Sequence, residues 1–272
     1  MKMNPDKCAF GVTSGQFLGF MIHERGIEIG SKSKEAIRDM VPPTTKPELQ
    51  KLIGQINYIR RFIPNLSAKL EAFMPLIKTQ RSEDFIWGPD QQLAFEKLKA
   101  YLVSPPMMAP PRLDIPFIIY ISADDASIGS VLMQEVDGKE QVVHYLSRRL
   151  LDAETRYSEM ERLCLCLYFT CTKLRHYLLD AETLVICKAD IIKYMLSAPI
   201  LKGRLGKWMF ALSEFDIKFR PAKAIKGQAL ADLITERSAP QASFVNVNVW
   251  TMYFDGSSCD DGCGVGILII SP

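Results

Sequence analysis

The stretch that most constrains this chain is Phe117 to Leu150, FIIYISADDASIGSVLMQEVDGKEQVVHYLSRRL. Phe117, Ile119 and Ile121 alternate with Ile118, Tyr120 and Ser122, and an apolar run of this kind fits a strand buried on both faces. Asp124 to Ser127 is a turn and Gly129 to Gln134 a second strand. Asp137-Gly138-Lys139 has the residues of a hairpin turn, and Gln141 to Leu146 is a third strand. A helix is predicted over Ala153 to Leu178. Its middle, LCLCLYFTC, has the composition of a strand, but its length and charged flanks favour a helix.

The pattern recurs at Trp250 to Pro272, WTMYFDGSSCDDGCGVGILIISP. Tyr120-Ile121-Ser122 aligns with Tyr253-Phe254-Asp255. Internal similarity of this kind implies two copies of one domain, the second reaching only two strands. The copies differ at one place: the second ends its first strand in a carboxylate, the first in a hydroxyl.

The 272 residues accommodate one to three domains, and 48% hydrophobic with 24% charged residues is ordinary for a chain that buries a core. A net charge of +2 gives no global argument for nucleic acid. Locally, Lys46 to Lys78 carries six basic residues against two acidic, and Lys202 to Lys226 seven against two. Solvated helix faces are the default reading of such runs and a phosphate-facing surface the alternative. The seven cysteines form no CxxC pair. Cys164, Cys166 and Cys171 lie in an apolar stretch, where a thiol acts as a small hydrophobe, and the odd count suggests a reducing compartment, cytoplasmic or nuclear. The longest apolar run, Leu163 to Cys171, is too short to span a bilayer, so no membrane partner is expected.

Taken in order, Cys8 to Ile29 reads as a small antiparallel unit, with turns at Ser14-Gly15 and Arg25-Gly26 around one strand, Phe17 to Ile22. Ser33 to Met40 is a short helix stopped by Pro42-Pro43. Thr45 opens a longer helix through a capping box with Glu48, and its apolar stripe runs to Ile63. Arg60 and Arg61 fall in its last turn, where they complement the helix dipole or meet a phosphate. Ser67 to Lys78 and Pro89 to Leu102 are further helices. After the long helix come a strand at Thr183 to Cys187, helices at Ile191 to Leu196 and Leu205 to Leu212, a strand at Phe215 to Phe219, a closing helix at Gly227 to Thr235, and a linker at Ser238 to Asn248. The fold class expected is α/β, with a mixed five-stranded sheet whose fourth strand is parallel to the first through the helical crossover. The chain opens directly on a turn and hairpin, as expected of a piece of something larger.

MNPDKCAFGV, GQFLGFMI, PELQKLIGQINYIRRFI, FIWGPDQQLAFEKLKAYL, ETRYSEMERLCLCL, GRLGKWMFALSEFDIKFRPAKAIKGQALADLI and YFDGSS occur in one order. Together they resemble the middle of the pol polyprotein of a plant gypsy-type LTR retrotransposon. The resemblance implies the end of a reverse transcriptase palm at 1–30, a helical thumb-like region at 31–104 and a degenerate ribonuclease H-like domain at 105–237. A linker at 238–249 and the start of a second ribonuclease H domain at 250–272 complete it. The implied partners are an RNA–DNA hybrid or DNA and the rest of the polyprotein: fingers and palm, the remainder of the second ribonuclease H, and integrase. Lys51, Arg60, Arg61, Lys69, Arg204 and Lys207 are the candidate nucleic-acid contacts.

The implied chemistry is two-metal phosphodiester hydrolysis, with Mg²⁺ ions about 4 Å apart held by converging carboxylates. The family's four acid positions fall here on Ser122, Leu163, Ala189 and Asp232. Asp124, Glu161 and Asp190 stand nearby as alternative acids, each a residue or more out of register. Asp232 and Asp255 are therefore the candidate catalytic and metal-binding residues. The Tyr-x-Asp-Asp polymerase motif does not occur. Two functions follow from these residues. One is a non-catalytic, nucleic-acid-gripping thumb and connection-like domain. The other is an active Mg²⁺-dependent ribonuclease H with a rearranged acid set. A host-exapted interaction module is a third, weaker idea.

Overall fold

The computed structural model describes residues 11–79, 81, 84–187, 190–197, 203–221, 251–259 and 262–270. The chain divides into two compact units, Met1–Ala239 and Pro240–Pro272. The first opens with an antiparallel sheet of β1 (Ser14–Phe17), β2 (Phe20–His23) and β3 (Gly26–Ile29). The single strand expected over Phe17 to Ile22 is broken by a turn at Leu18-Gly19, both at positive φ (47° and 74°). Two-residue hairpin turns require this conformation, and Gly19 adopts it without steric cost. Gly26 is needed for another reason: a Cβ there would lie 2.4 Å from the Met108 carbonyl oxygen, where Ile27 and Met108 exchange backbone hydrogen bonds.

Helices α1 (Ser31–Arg38) and α2 (Lys46–Tyr58) follow. Thr45 Oγ1 caps α2 by accepting from Glu48 N, while the Glu48 carboxylate accepts from Thr44 N and Oγ1 at 2.8 and 2.9 Å. The helix stops at Tyr58, earlier than the apolar stripe suggested, and Arg60–Phe62 form a 3-10 turn that buries Phe62. The expected helix Ser67 to Lys78 is three pieces: α3 (Leu66–Lys69), a 3-10 turn at Glu71–Phe73 and α4 (Met74–Lys78). Pro75 explains the restart, since it lacks an N–H and its ring opposes the carbonyl four residues back. Helix α5 (Pro89–Val103) is anchored by Gln91, which accepts from Gly88 N at 3.1 Å and donates to Ala72 O at 2.9 Å.

The meander is longer than the sequence pattern indicates: β4 (Phe117–Ala123), β5 (Ser127–Val136) and β6 (Lys139–Arg149). The crossover is a 3-10 turn at Glu154–Arg156, then α6 (Glu159–Lys173) and α7 (Arg175–Leu178), so the helix predicted as continuous breaks at Leu174. Then come β7 (Thr183–Cys187), α8 (Ile191–Ser197), α9 (Arg204–Leu212) and β8 (Ile217–Pro221). The sheet order is β6-β5-β4-β7-β8, with β4–β7 and β7–β8 parallel, as the crossover required. The closing helix expected at Gly227 to Thr235 and the linker at Ser238 to Asn248 lie outside the described residues.

Both faces of the sheet are buried. On one, Phe117, Ile119, Ile121, Ile128 and Leu132 pack against Leu163, Cys166 and Leu167 of α6, Ile191 and Met195 of α8, and Trp208 of α9. On the other, Ile118, Tyr120, Val131, Met133 and Tyr145 pack against Leu49 and Ile56 of α2, Phe62, Phe73, and Leu98 and Leu102 of α5. This second core runs across residue 104, where the sequence suggested a boundary. Edge strand β6 is bound to the helical layer as well. A bulge leaves Val143 unpaired between Leu132↔His144 and Met133↔Val142, and its carbonyl accepts from Arg61 Nη2 at 3.3 Å. Ser67 N donates to Ser147 Oγ at 3.1 Å.

In the second unit β9 (Thr251–Cys259) pairs antiparallel with β10 (Gly262–Ile270). Asp255 lies opposite Gly266, as Ser122 lies opposite Gly129 in β4–β5.

A shared core predicts shared unfolding. Phe62→Ala removes a fully buried ring and should cost about 3–5 kcal/mol. Urea melts followed separately at Trp87, beside Phe73 and Phe95, and at Trp208, on the opposite side of the sheet, should shift together. A shift seen only at Trp87 would mean that the two layers unfold independently.

Candidate functional site

The corner to inspect lies where β4 ends, α6 begins and β7 runs into α8. Ser122, near the end of β4, is half-buried, and Leu163 is buried in the α6 core. Ala189 and Asp232 lie outside the described residues, and Asp255 is described only in its backbone.

Each nearby acid already has a local task. The Asp124 carboxylate closes the β4–β5 turn, accepting from Ala126 N at 2.8 Å, Ser127 N at 2.5 Å and Ser127 Oγ at 3.0 Å. Asp125 pairs with Arg162 of α6, whose Nη1 also donates to Asp124 O at 2.9 Å. Glu161 forms a capping box with Ser158: its carboxylate accepts from Ser158 N at 3.0 Å and its N donates to Ser158 Oγ at 3.2 Å. It also accepts from Arg204 Nη2 at 2.6 Å, and the Arg204 guanidinium lies 4.0 Å from the centre of the Tyr157 ring. Burial pushes the Glu161 pKa up, but the bonds from Arg204 and Ser158 outweigh it and hold the carboxyl below its ordinary value. Asp190 caps α8, accepting from Lys193 N at 2.9 Å. Among the described residues, no three His, Cys, Asp or Glu side chains converge where they could hold a metal ion. The described side chains at the family's positions, a hydroxyl and a leucine, do not suit two Mg²⁺ ions that require several carboxylate oxygens.

The cysteines of α6 belong to the core. Burial pushes the thiols of Cys164, Cys166 and Cys171 up to about 12, and Cys166 Sγ donates to Gly129 O at 3.3 Å. At neutral pH they are protonated and poorly nucleophilic.

The basic candidates divide. Lys51, Arg60 and Lys207 are exposed. Arg61 and Lys69 are half-buried and turn inward. Arg61 serves the bulged Val143 carbonyl, and Lys69 donates to Pro64 O at 3.0 Å and lies 5.1 Å from the Tyr101 ring centre. The sequence placed both on a regular helix, where their faces would read as solvent-exposed. The 3-10 turn and the kink after Asn65, at φ 46°, redirect them. Arg204 is tied to Glu161 and Tyr157. The solvent side of α2 adds Gln55, Asn57 and Tyr58 to Lys51, which charge counting alone does not reveal.

Residues 87–185 match the family described as the RNase H-like domain found in reverse transcriptase, a span that takes in α5 and runs through β4 to β7. The chain is 28% identical over 239 residues to the retrovirus-related Pol polyprotein from transposon 297 of Drosophila melanogaster, covering 86% of this chain and 22% of that protein. It is 27% identical over 261 residues to the Pol polyprotein from transposon opus of the same fly, covering 92% and 26%. It is 28% identical over 230 residues to the transposon Tf2-3 polyprotein of Schizosaccharomyces pombe, covering 82% and 17%. The chain thus spans about a quarter or less of the length of these relatives. In fold it is similar to foamy viral protease-reverse transcriptase. The TM-score is 0.71 against the complex with RNA/DNA hybrid, at 20% identity over 96% of this chain and 37% of that one. It is 0.68 against a complex with dsDNA, at 21% identity over 82% and 47%. The class defined by fold and sequence is the RNase H-like domain. More particularly, residues 87–185 carry the RNase H-like domain found in reverse transcriptase, and the chain is similar to a segment of retrotransposon Pol polyproteins.

One histidine beside the Arg61 contact gives this region a pH dependence. His144 Nδ1 is buried without a hydrogen-bond partner. Burial, with the charge of Arg61 and smaller contributions from Arg60 and His176, pushes its pKa down to about 4 from 6.5. The unfolded chain therefore binds more protons between these values, so this contribution to stability is complete above pH 6.5 and is lost as pH falls toward 4. In urea melts between pH 7 and pH 4.5, His144→Phe should lose less stability than the wild type. Equal losses in the two proteins would contradict the assignment.

Proposed function

We propose that this segment grips a nucleic-acid duplex within a larger reverse transcriptase and does not cleave it by itself. One observation carries the reading. At the corner where a two-metal nuclease needs converging carboxylates stand Ser122 and Leu163, and Asp124, Glu161 and Asp190 are committed to a turn, a capping box with an ion pair, and a helix cap. A hydroxyl is a poor ligand for a hard divalent ion and an alkyl group is none. Were Mg²⁺ held here, it would supply the Lewis acid for phosphodiester hydrolysis, and these side chains offer it too few oxygens.

The binding surface in this reading is the solvent side of α2 and the turn after it, with Lys51, Gln55, Tyr58 and Arg60, while Lys207, on α9, stands apart on the other side of the sheet. The ligand is an RNA–DNA hybrid or DNA. Residues 1–30 then serve as the end of the palm, 31–104 as a thumb and 105–237 as a connection-like domain packed beneath it. Residues 238–249 link to a second ribonuclease H copy that begins at 250. In that copy Asp255, in Tyr253-Phe254-Asp255-Gly256-Ser257, is the first carboxylate of a separate site whose other acids lie further along the polyprotein. The polyprotein in this reading is of the gypsy LTR type and of plant origin. Fingers, palm and integrase are its other parts, and it works in the cytoplasm or nucleus. No helix among the described residues is long and apolar enough to cross a membrane.

The test is a labelled RNA–DNA hybrid with Mg²⁺ or Mn²⁺. The expected outcome is binding without cleavage. Log affinity should fall linearly with log salt, and Lys51→Ala and Arg60→Ala should each lower that slope by roughly one. Metal-dependent cleavage that disappears in Asp232→Asn or Asp124→Asn would show that a working acid set exists.

A further inference from the structure

Helix α9 buries Leu205, Trp208, Met209 and Leu212 wholly or in part against the core, with Trp208 stacked on Tyr168 at 6.0 Å between ring centres. That inner face is complete without Phe210, whose ring is 82% exposed. Arg204, Lys207 and Phe210 recur every third residue along the outer side of the helix. No acidic residue occurs between Gly203 and Ser213, and Glu214 beyond them is paired with Arg175 at 2.9 Å. Among the described residues no carboxylate pairs with Lys207, so the outer face combines a bare aromatic ring with positive charge.

We propose that this face is a stacking platform for an unpaired base of a single-stranded nucleic acid, with Phe210 against the base and Lys207 on the adjoining phosphate. The proposal rests on the nucleic-acid-gripping reading above and adds a strand form and a second contact surface to it. Charge chooses the occupant: a cationic helix face fits a polyanion. One phenyl ring among charged neighbours is far smaller than the roughly 1,000 Å² a specific protein interface needs. Shape chooses the strand form. A ring projecting from a convex helix meets the flat face of a base only where that base is not stacked in a duplex, and such stacking tolerates any sequence. Arg204, partly exposed above Tyr157, adds positive charge one turn away.

The test uses the purified chain and fluorescence anisotropy on a labelled twelve-residue oligo(dT) and, separately, on an RNA–DNA hybrid. Phe210→Ala should weaken oligo(dT) binding about tenfold, within the range that one stacked base contributes. Phe210→Trp should retain or tighten it, and hybrid binding should change less than twofold in both variants. Lys207→Ala should reduce the salt slope on oligo(dT) by about 0.7. Because Phe210 lies outside the core, both variants should melt with the wild type, which separates lost contact from lost fold. Equal oligo(dT) affinity in wild type and Phe210→Ala overturns the proposal. Binding of the hybrid without binding of oligo(dT) overturns it too and leaves the duplex-gripping function standing, whereas failure to bind either overturns both. If Phe210→Ala instead abolishes self-association in sedimentation and leaves oligo(dT) binding intact, the face is a protein interface and the proposal fails.

Discussion

Burial of β4 and β5 on both faces is the constraint from which the rest of the first unit follows. A strand reading FIIYIS has no polar face to give to water, so the sheet must be a middle layer. Helices α6, α8 and α9 supply one cover and α2, α5 and the short helical pieces between them the other. Helices α2 and α5 and the pieces between them are therefore the second wall of the same core. At about 25 cal/mol per Å² of apolar surface buried, exposing that wall by removing the helices would cost far more than the single hydrogen bonds at the β6 edge contribute. The edge contacts from Arg61 and Ser67 set register and shield strand backbone, while the apolar contacts hold the layers together.

The corner at the end of β4 is tied by polar side chains as well as by the apolar core. What joins β4, α6 and α9 here is a set of charge-assisted hydrogen bonds. Their strengths differ. Asp125 is 97% exposed, so its pair with Arg162 contributes little, and the bond from Arg162 to the Asp124 carbonyl is the firmer tie. Glu161 is mostly covered and binds both a helix N-terminus and Arg204, which makes it the better anchored acid of the corner. Releasing it to ligate a metal would take the carboxylate acceptor away from Ser158 N and from Arg204, although Ser158 Oγ would still cap the helix.

Much of the fold was legible in the sequence because its signals are local and strong. The apolar run of β4, the Asp-Gly turn at 137–138 and the Thr45–Glu48 box each act within a few residues. The parallel pairing of β4 with β7 follows from a crossover of sufficient length. Pieces governed by distant packing were not legible. Strand lengths in β5 and β6 depend on the partner strand, and the inward course of Arg61 depends on a bulge 82 residues away in sequence at Val143. The break of the α2 stripe at Tyr58 comes from the need to bury Phe62 and Ile63, to which helical periodicity is blind. At the site, the residue types at 122 and 163 could be read directly. The commitment of Asp124, Glu161 and Asp190 to turn, box and cap required the geometry.

In the reading proposed above, the described corner at the end of β4 does not gather carboxylates for divalent ions. Paramagnetic relaxation by Mn²⁺ tests it most directly, because broadening of backbone amide signals reports where the ion sits whether or not catalysis follows. Titrating Mn²⁺ into the purified chain should give weak, unsaturable broadening spread over exposed acids. Saturable broadening confined to the amides of Ser122, Asp124, Glu161 and Asp190 would contradict it.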